Sequence, residues 1–183
     1  LLLDNGAHIN DQSNTGATAL VIAVQHSDED SSLETVKLLL DNGANQHIRY
    51  GDGRTALWAA VLWSYRNSSI ETVRLLLSYG ADVNYTITTN QPKTVGDILQ
   101  GQPPYTGSFL HTIIGNPDIS LSVFHLLFNY GADVNAMDSN GRTPLGLAAA
   151  RPDDPHELVH LMFLFDADPD ILDNEGLHMI DHG

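Results

Sequence analysis

The 183-residue sequence predicts an all-α solenoid of stacked helix-turn-helix units joined by hairpin loops. Two recurring phrases and one constant interval predict it. Leu75-Leu76-Leu77-Ser78-Tyr79-Gly80-Ala81-Asp82-Val83-Asn84 returns as Leu126-Leu127-Phe128-Asn129-Tyr130-Gly131-Ala132-Asp133-Val134-Asn135, and more loosely as Leu38-Leu39-Leu40-Asp41-Asn42-Gly43-Ala44-Asn45. A second phrase keeps step with it: Gly16-Ala17-Thr18-Ala19-Leu20, Gly53-Arg54-Thr55-Ala56-Leu57 and Gly141-Arg142-Thr143-Pro144-Leu145. Thr18 to Thr55 and Gly43 to Gly80 both span 37 residues. A fixed period of about 20 to 50 residues marks an array whose units bury their apolar faces against one another, so function is to be sought on a surface.

Aligned by these phrases, the chain is one array: a partial unit at 1–12, complete units at 13–49, 50–102, 103–137 and 138–172, and a truncated start at 173–183. The unit at 50–102 shows the logic of each element. Thr55 is placed to cap a short helix from Ala56 to about Trp63, its hydroxyl accepting from an amide of the first turn. After the polar break Arg66-Asn67-Ser68-Ser69, a second helix begins at Ile70, with Ile70, Val73 and Leu77 on one stripe and Glu71 and Arg74 on another. Gly80 ends it, because a residue without Cβ takes the left-handed conformation at little cost. Asn135 to Thr143 is 8 residues but Asn84 to Ser108 is 24, an excess of 16 that defines an insertion near 85–106. It reads as a long hairpin-tip loop with one helical turn at Thr94-Val95-Gly96-Asp97-Ile98-Leu99.

The two phrases together resemble the ankyrin repeat, whose pattern is G-x-T-P-L-H-x-A-A, a V-V-x-L-L-L helix and G-A-D-V-N. Thr143-Pro144-Leu145 and Gly131-Ala132-Asp133-Val134-Asn135 match most closely; Ser108-Phe109-Leu110-His111 is a weakened form. Ile113 and Ile114 stand where Ala148 and Ala149 do, and predict inner helices pushed apart. Asp166 stands where Gly43, Gly80 and Gly131 stand, at a cost of order 1 kcal/mol, so the last helix end is expected to be irregular. The resemblance implies a curved stack with hairpin tips at right angles and a concave groove that binds another protein, without catalytic residues.

Composition narrows the partner. Eight Lys+Arg against 23 Asp+Glu give a formal charge of −15, which disfavours nucleic acid and favours a protein with a basic surface. No apolar run approaches the roughly 18 residues of a membrane span, so membrane insertion is not expected. With no cysteine, disulfides and thiolate metal sites are excluded, and an intracellular, cytoplasmic or nuclear setting fits. The chain opens inside a repeat phrase and reads as a segment of a larger protein.

One string looks catalytic. His156-Glu157-Leu158-Val159-His160 matches H-E-x-x-H, a zinc-protease helix pattern. The repeat register accounts for it instead: Glu157 shares a column with Glu34 and Glu71, and His160 with Lys37, Arg74 and His125. No catalytic, cofactor-binding or metal residue is therefore assigned. Asn84 and Asn135 each follow a Leu by eight residues, a spacing similar to hydroxylated asparagines in ankyrin repeats; the simpler role is a side-chain bond to the hairpin backbone. Tyr79 and Tyr130, beside the C-cap glycines, read as closures of helix ends.

Residue-by-residue carry-over assigns the partner-binding groove and tips. The second unit supplies Asn14, Thr15, Gln25 and His26, and the third Asp52, Arg54, Leu62 and Trp63. Tyr105 and Asn116 continue the surface, followed by Ser139, Asn140, Arg142 and Arg151. Trp63 stands out because its column otherwise holds His26, Asn116 and Arg151; an aromatic there is an interface anchor or a cover for the inter-helix loop. Trp58 replaces the family's usual His and reads as a partly buried spacer. The function expected is a non-enzymatic protein-interaction module; the alternative is a structural spacer within a multidomain protein, and a zinc hydrolase is the remote third.

Overall fold

The computed structural model describes residues 8–27, 32–51, 53–64, 70–89, 105–151, 155–174 and 176. Among them are eight helices and one two-stranded sheet, distributed over two compact units, 1–82 and 83–183.

In the 1–82 unit the helices are α1 (Ala19–Gln25), α2 (Ser32–Asp41), α3 (Ala56–Trp63) and α4 (Ile70–Ser78). The inner helices α1 and α3 pack side by side, with α2 against α1 and α4 against α3. α3 reads ALWAAVLW, and Ala56, Leu57, Ala59, Ala60 and Val61 are all buried. Small side chains let neighbouring backbones approach closely, and an apolar run on all faces suits a helix enclosed by others. α4 is amphipathic as expected: Val73, Leu76 and Leu77 are buried while Glu71 and Arg74 pair at 3.3 Å on the exposed side.

Thr18 caps α1 through a 3.4 Å bond from the Val21 amide, and Thr143 receives the Gly146 amide at 3.2 Å. Thr55 departs from its expected role. It occupies the N-cap with extended backbone, but its hydroxyl makes no capping bond and is buried without a partner. The start of α3 is therefore set by burial of its apolar side chains and the backbone bridge between Tyr50 and Arg54 just before it.

The 83–183 unit holds β1 (Thr86–Thr89), β2 (Tyr105–Ser108), α5 (Phe109–Ile114), α6 (Leu121–Asn129), α7 (Pro144–Ala149) and α8 (His156–Leu164). α5 packs on α7, α6 on α8, and α7 on α8. The ends of the insertion are not loop, as the sequence suggested, but an antiparallel pair with Thr86 opposite Ser108 and Thr89 opposite Tyr105. The expected helical turn at 94–99 lies outside the described residues. Along β1 the exposed Thr86 and Thr88 flank the buried Ile87, the alternation of a half-buried strand. Gly107 serves close approach, since a Cβ there would lie 2.6 Å from the Tyr105 phenol oxygen. Ile113 and Ile114 are fully buried in this unit's core with Phe109, Phe124, Leu127 and Leu145.

All four outer helices end alike. The amides of Gly43, Gly80, Gly131 and Asp166 bond the carbonyl three residues back, and those of Ala44, Ala81, Ala132 and Ala167 bond the carbonyl five back. This is a Schellman closure, which needs a left-handed residue at its centre. Asp166 supplies it at φ 62°, so the last helix end keeps the geometry of the others and the irregularity expected there is confined to conformational strain. Asp166→Gly is expected to raise stability by about 0.5–1 kcal/mol in urea unfolding.

The hairpin asparagines bond hairpin backbone as expected in kind, and the backbone they reach is that of the next hairpin. Asn84 Nδ2 donates to the Gly131 carbonyl at 2.8 Å while its Oδ1 accepts from the Asp133 amide at 2.8 Å. Asn135 makes the same pair with Asp166 and Asp168, and Asn10 with Gly43 and Asn45. A side-chain amide suits this bridge because it both donates and accepts. Asn84→Ala should cost about 1–2 kcal/mol by chemical denaturation, as two backbone groups lose their partner.

Candidate binding surface

In the 1–82 unit the first tip is a tight turn, with Asn14 and Thr15 exposed. Ser13 Oγ and Thr15 Oγ1 lie 2.9 Å apart, and Gln12 Nε2 ties the turn to the Gly16 and Arg49 carbonyls at 2.7 and 3.2 Å. These bonds fix the turn and leave Asn14 projecting. At the next tip the Arg54 guanidinium lies 4.2 Å from the centre of the Trp58 ring. Such stacking is worth roughly 0.5–1 kcal/mol at an exposed site and holds the arginine in one orientation. Asp52 lies outside the described residues. At the far ends of the inner helices, Gln25 is half-buried and His26 exposed, while Leu62 and Trp63 are half-buried at the end of α3. Outer-face Tyr79 acts as expected of a helix-end closure: its phenol bonds Asp41, and its carbonyl accepts from Gln46 at 2.6 Å.

In the 83–183 unit, Tyr105, Ser139, Asn140 and Arg142 come together around a residue the sequence reading passed over. The Asp138 side chain is fully buried; Oδ1 accepts the Asn140 and Arg142 amides at 2.9 Å, and Oδ2 accepts Arg142 Nε and Nη2 at 3.1 and 2.9 Å. Arg142 is thus held from two sides and about two-fifths exposed. The Tyr105 phenol borders the pair, and burial, aided by the Asp138 charge, pushes its pKa up to about 12. Ser139 joins the tip to β2, donating its amide to the Thr106 carbonyl at 2.7 Å and accepting the Thr106 amide on Oγ at 3.2 Å. Asn174 bonds the carbonyls of both Ser139 and Asn140. The signal that could have found Asp138 is its place three residues before Gly141, where a carboxylate can bond the turn's own amides.

Asn116 and Arg151 belong to the inner-helix ends. Asn116 Oδ1 accepts from the Asp118 amide at 3.0 Å, and Arg151 Nη1 donates to the Ile114 carbonyl at 3.0 Å, at the same end of α5. A cation on the last carbonyls of a helix complements its dipole. His156, Glu157 and His160 lie exposed on α8. Among the described residues, no three His, Cys, Asp or Glu side chains are grouped to hold a metal ion.

The family model for ankyrin repeats matches residues 1–87 in three copies. The ankyrin repeat domain of Bcl-3, described as a unique member of the IkappaB protein family, superposes with a TM-score of 0.74 at 27% identity, over 98% of this chain and 68% of that one. A chain of the Bd0816 predatory endopeptidase from Bdellovibrio bacteriovorus in complex with immunity protein Bd3460 superposes with a TM-score of 0.68 at 21% identity, over 98% of this chain and 80% of that one, a likeness of fold. No curated protein sequence matches. Residues 1–87 thus carry the ankyrin-repeat pattern, and the chain as a whole has the fold of an ankyrin-repeat domain. Ankyrin repeats are protein-interaction modules.

Proposed function

We propose that this protein is a non-enzymatic binding module that recognises a partner protein through its tips and inner-helix ends, with Leu62 and Trp63 as the apolar centre. One observation carries the reading: every side chain from Ala59 to Val61 is buried, yet the two large apolar residues that follow are left half-exposed at the helix end. Anchored polar groups at the tips, Arg54 on Trp58 and Arg142 on Asp138, are the kind of preorganised contacts that lose little side-chain entropy on binding. The formal charge of −15 favours a partner with a basic surface, and the absence of cysteine fits a reducing compartment. Affinity capture from a lysate with wild-type protein and with Trp63→Ala, read by mass spectrometry, tests it. A protein retained by the wild type and lost with the variant supports the surface; identical retention, or none, supports a spacer.

A further inference from the structure

His111 is the only buried histidine among the described residues, about 6% exposed where the β2–α5 junction meets the 138–142 tip. Its Nδ1 lies 3.2 Å from the Ser108 amide and 2.7 Å from the Ser108 hydroxyl, and Nε2 lies 2.9 Å from the Arg142 carbonyl. A carbonyl can only accept, so Nε2 carries the proton; an amide N–H can only donate, so Nδ1 must keep its lone pair. The ring is neutral by geometry. A second proton on Nδ1 would abolish the Ser108 N–H bond that caps α5 and leave that nitrogen only the Ser108 hydroxyl, 2.7 Å away, as an acceptor.

The charged groups facing the ring are Asp138 and Arg142 from the tip and Asp133 from the loop after α6, with Tyr105 of β2 bordering the Asp138–Arg142 pair. The bond to the Arg142 carbonyl and the two carboxylates favour protonation, and the Arg142 charge opposes it. Burial is the largest influence and holds the His111 pKa below the ordinary value. The unfolded chain takes up this proton near pH 6.5, the folded one only at lower pH. The stability the neutral ring contributes is therefore complete above about pH 6.5 and is lost as pH falls from there toward the folded-state value.

We propose that the His111 seam is an acid-sensitive clasp that regulates the tip surface of the 83–183 unit, loosening the hold of β2 and α5 on Ser139 and Arg142 in mild acid. The regulatory consequence rests on the binding surface proposed above; the clasp itself does not. The corresponding positions in the other repeats hold Val21, Trp58 and Gly146, none of which titrates, so the 1–82 unit is an internal control.

Amide exchange and imidazole chemical shifts of the whole chain, followed by NMR at pH 7.5 and 5.5 and corrected for intrinsic exchange, test it. We expect His111 to hold its Nε2–H tautomer at pH 7.5. Between the two pH values, Ser108 and Ser139 amides should lose up to about tenfold in protection relative to Ile22 and Ala59, because the opened seam takes up its proton near pH 6.5, about one pH unit above the lower condition. In His111→Gln that relative change should shrink to less than twofold. An unchanged protection ratio in the wild type, or a full response in His111→Gln, overturns the clasp. Should the variant not fold, the wild-type titration decides alone. If the seam opens but a captured partner binds equally at both pH values, the clasp stands and its regulation of binding is overturned; if no partner is captured, it is the surface reading that fails.

Discussion

Replacing Phe109 with alanine is expected to destabilise the 83–183 unit by about 3–5 kcal/mol, the range for emptying a fully buried aromatic site. Phe109 has no exposed surface and stacks on the buried Tyr85 with ring centres 5.2 Å apart and planes 18° from parallel. It also stands where the repeat pattern has proline, and there it does something proline cannot: its amide donates to the Tyr85 carbonyl at 2.9 Å. The side chain thus fills the core under α5, and the backbone ties in the strand that leads into the insertion. Loss of the ring leaves a cavity walled by Tyr85 and α5 residues already committed to helix packing, which limits collapse. Urea unfolding of the wild type, Phe109→Ala and Phe109→Leu measures it, with the leucine variant expected to lose less than the alanine one. A loss below about 1 kcal/mol in Phe109→Ala would mean that Tyr85 moves in to fill the space, and that β1 is not held in place by this stack.

The same residues show where the sequence was a sufficient guide and where it was not. Helix ends were legible because they depend on local chemistry: Gly43, Gly80 and Gly131 sit where the chain must turn left-handed, and the next few amides close the last turn. The strands were missed for an equally physical reason. Thr86-Ile87-Thr88-Thr89 carries a strand pattern, but its partner begins 16 residues later at Tyr105, and Tyr105-Thr106-Gly107-Ser108 has weak strand preference of its own. Its pairing is held by Ser139 and Asp138 from another loop, contacts of long sequence separation that no local signal encodes. The asparagine bridges belong to the same class, since Asn84 and Asp133 are 49 residues apart. Thr55 makes the converse point: its pattern as a cap was right, but the buried hydroxyl found no amide. Among the surface residues, exposure of Asn14 and Thr15 followed from their place in a turn, whereas the anchoring of Arg142 by a buried carboxylate did not.

If a partner binds at the end of α3, Trp63→Ala is expected to reduce its affinity about thirtyfold or more, since truncating an interface aromatic commonly costs roughly 2 kcal/mol or more. Trp63 is half-buried at the helix end, so the free protein already fixes part of the ring and little ordering remains on binding. Its column elsewhere holds His26, Asn116 and Arg151, none of which offers comparable apolar area. Salt separates this contribution from that of charge. With a net charge of −15, a basic partner should associate more slowly as ionic strength rises, because screening shortens the reach of the field to about 8 Å near physiological salt. Burial of the indole should respond far less. Association and dissociation rates for a captured partner, measured with wild type and Trp63→Ala at two ionic strengths, therefore divide into two patterns: salt acts on the on-rate of both proteins, and the substitution acts on the off-rate at either salt. An affinity change below twofold in a folded Trp63→Ala variant would remove the end of α3 from the interface, and the tip built on Asp138, with Tyr105 and Arg142 at its surface, would become the surface to test next.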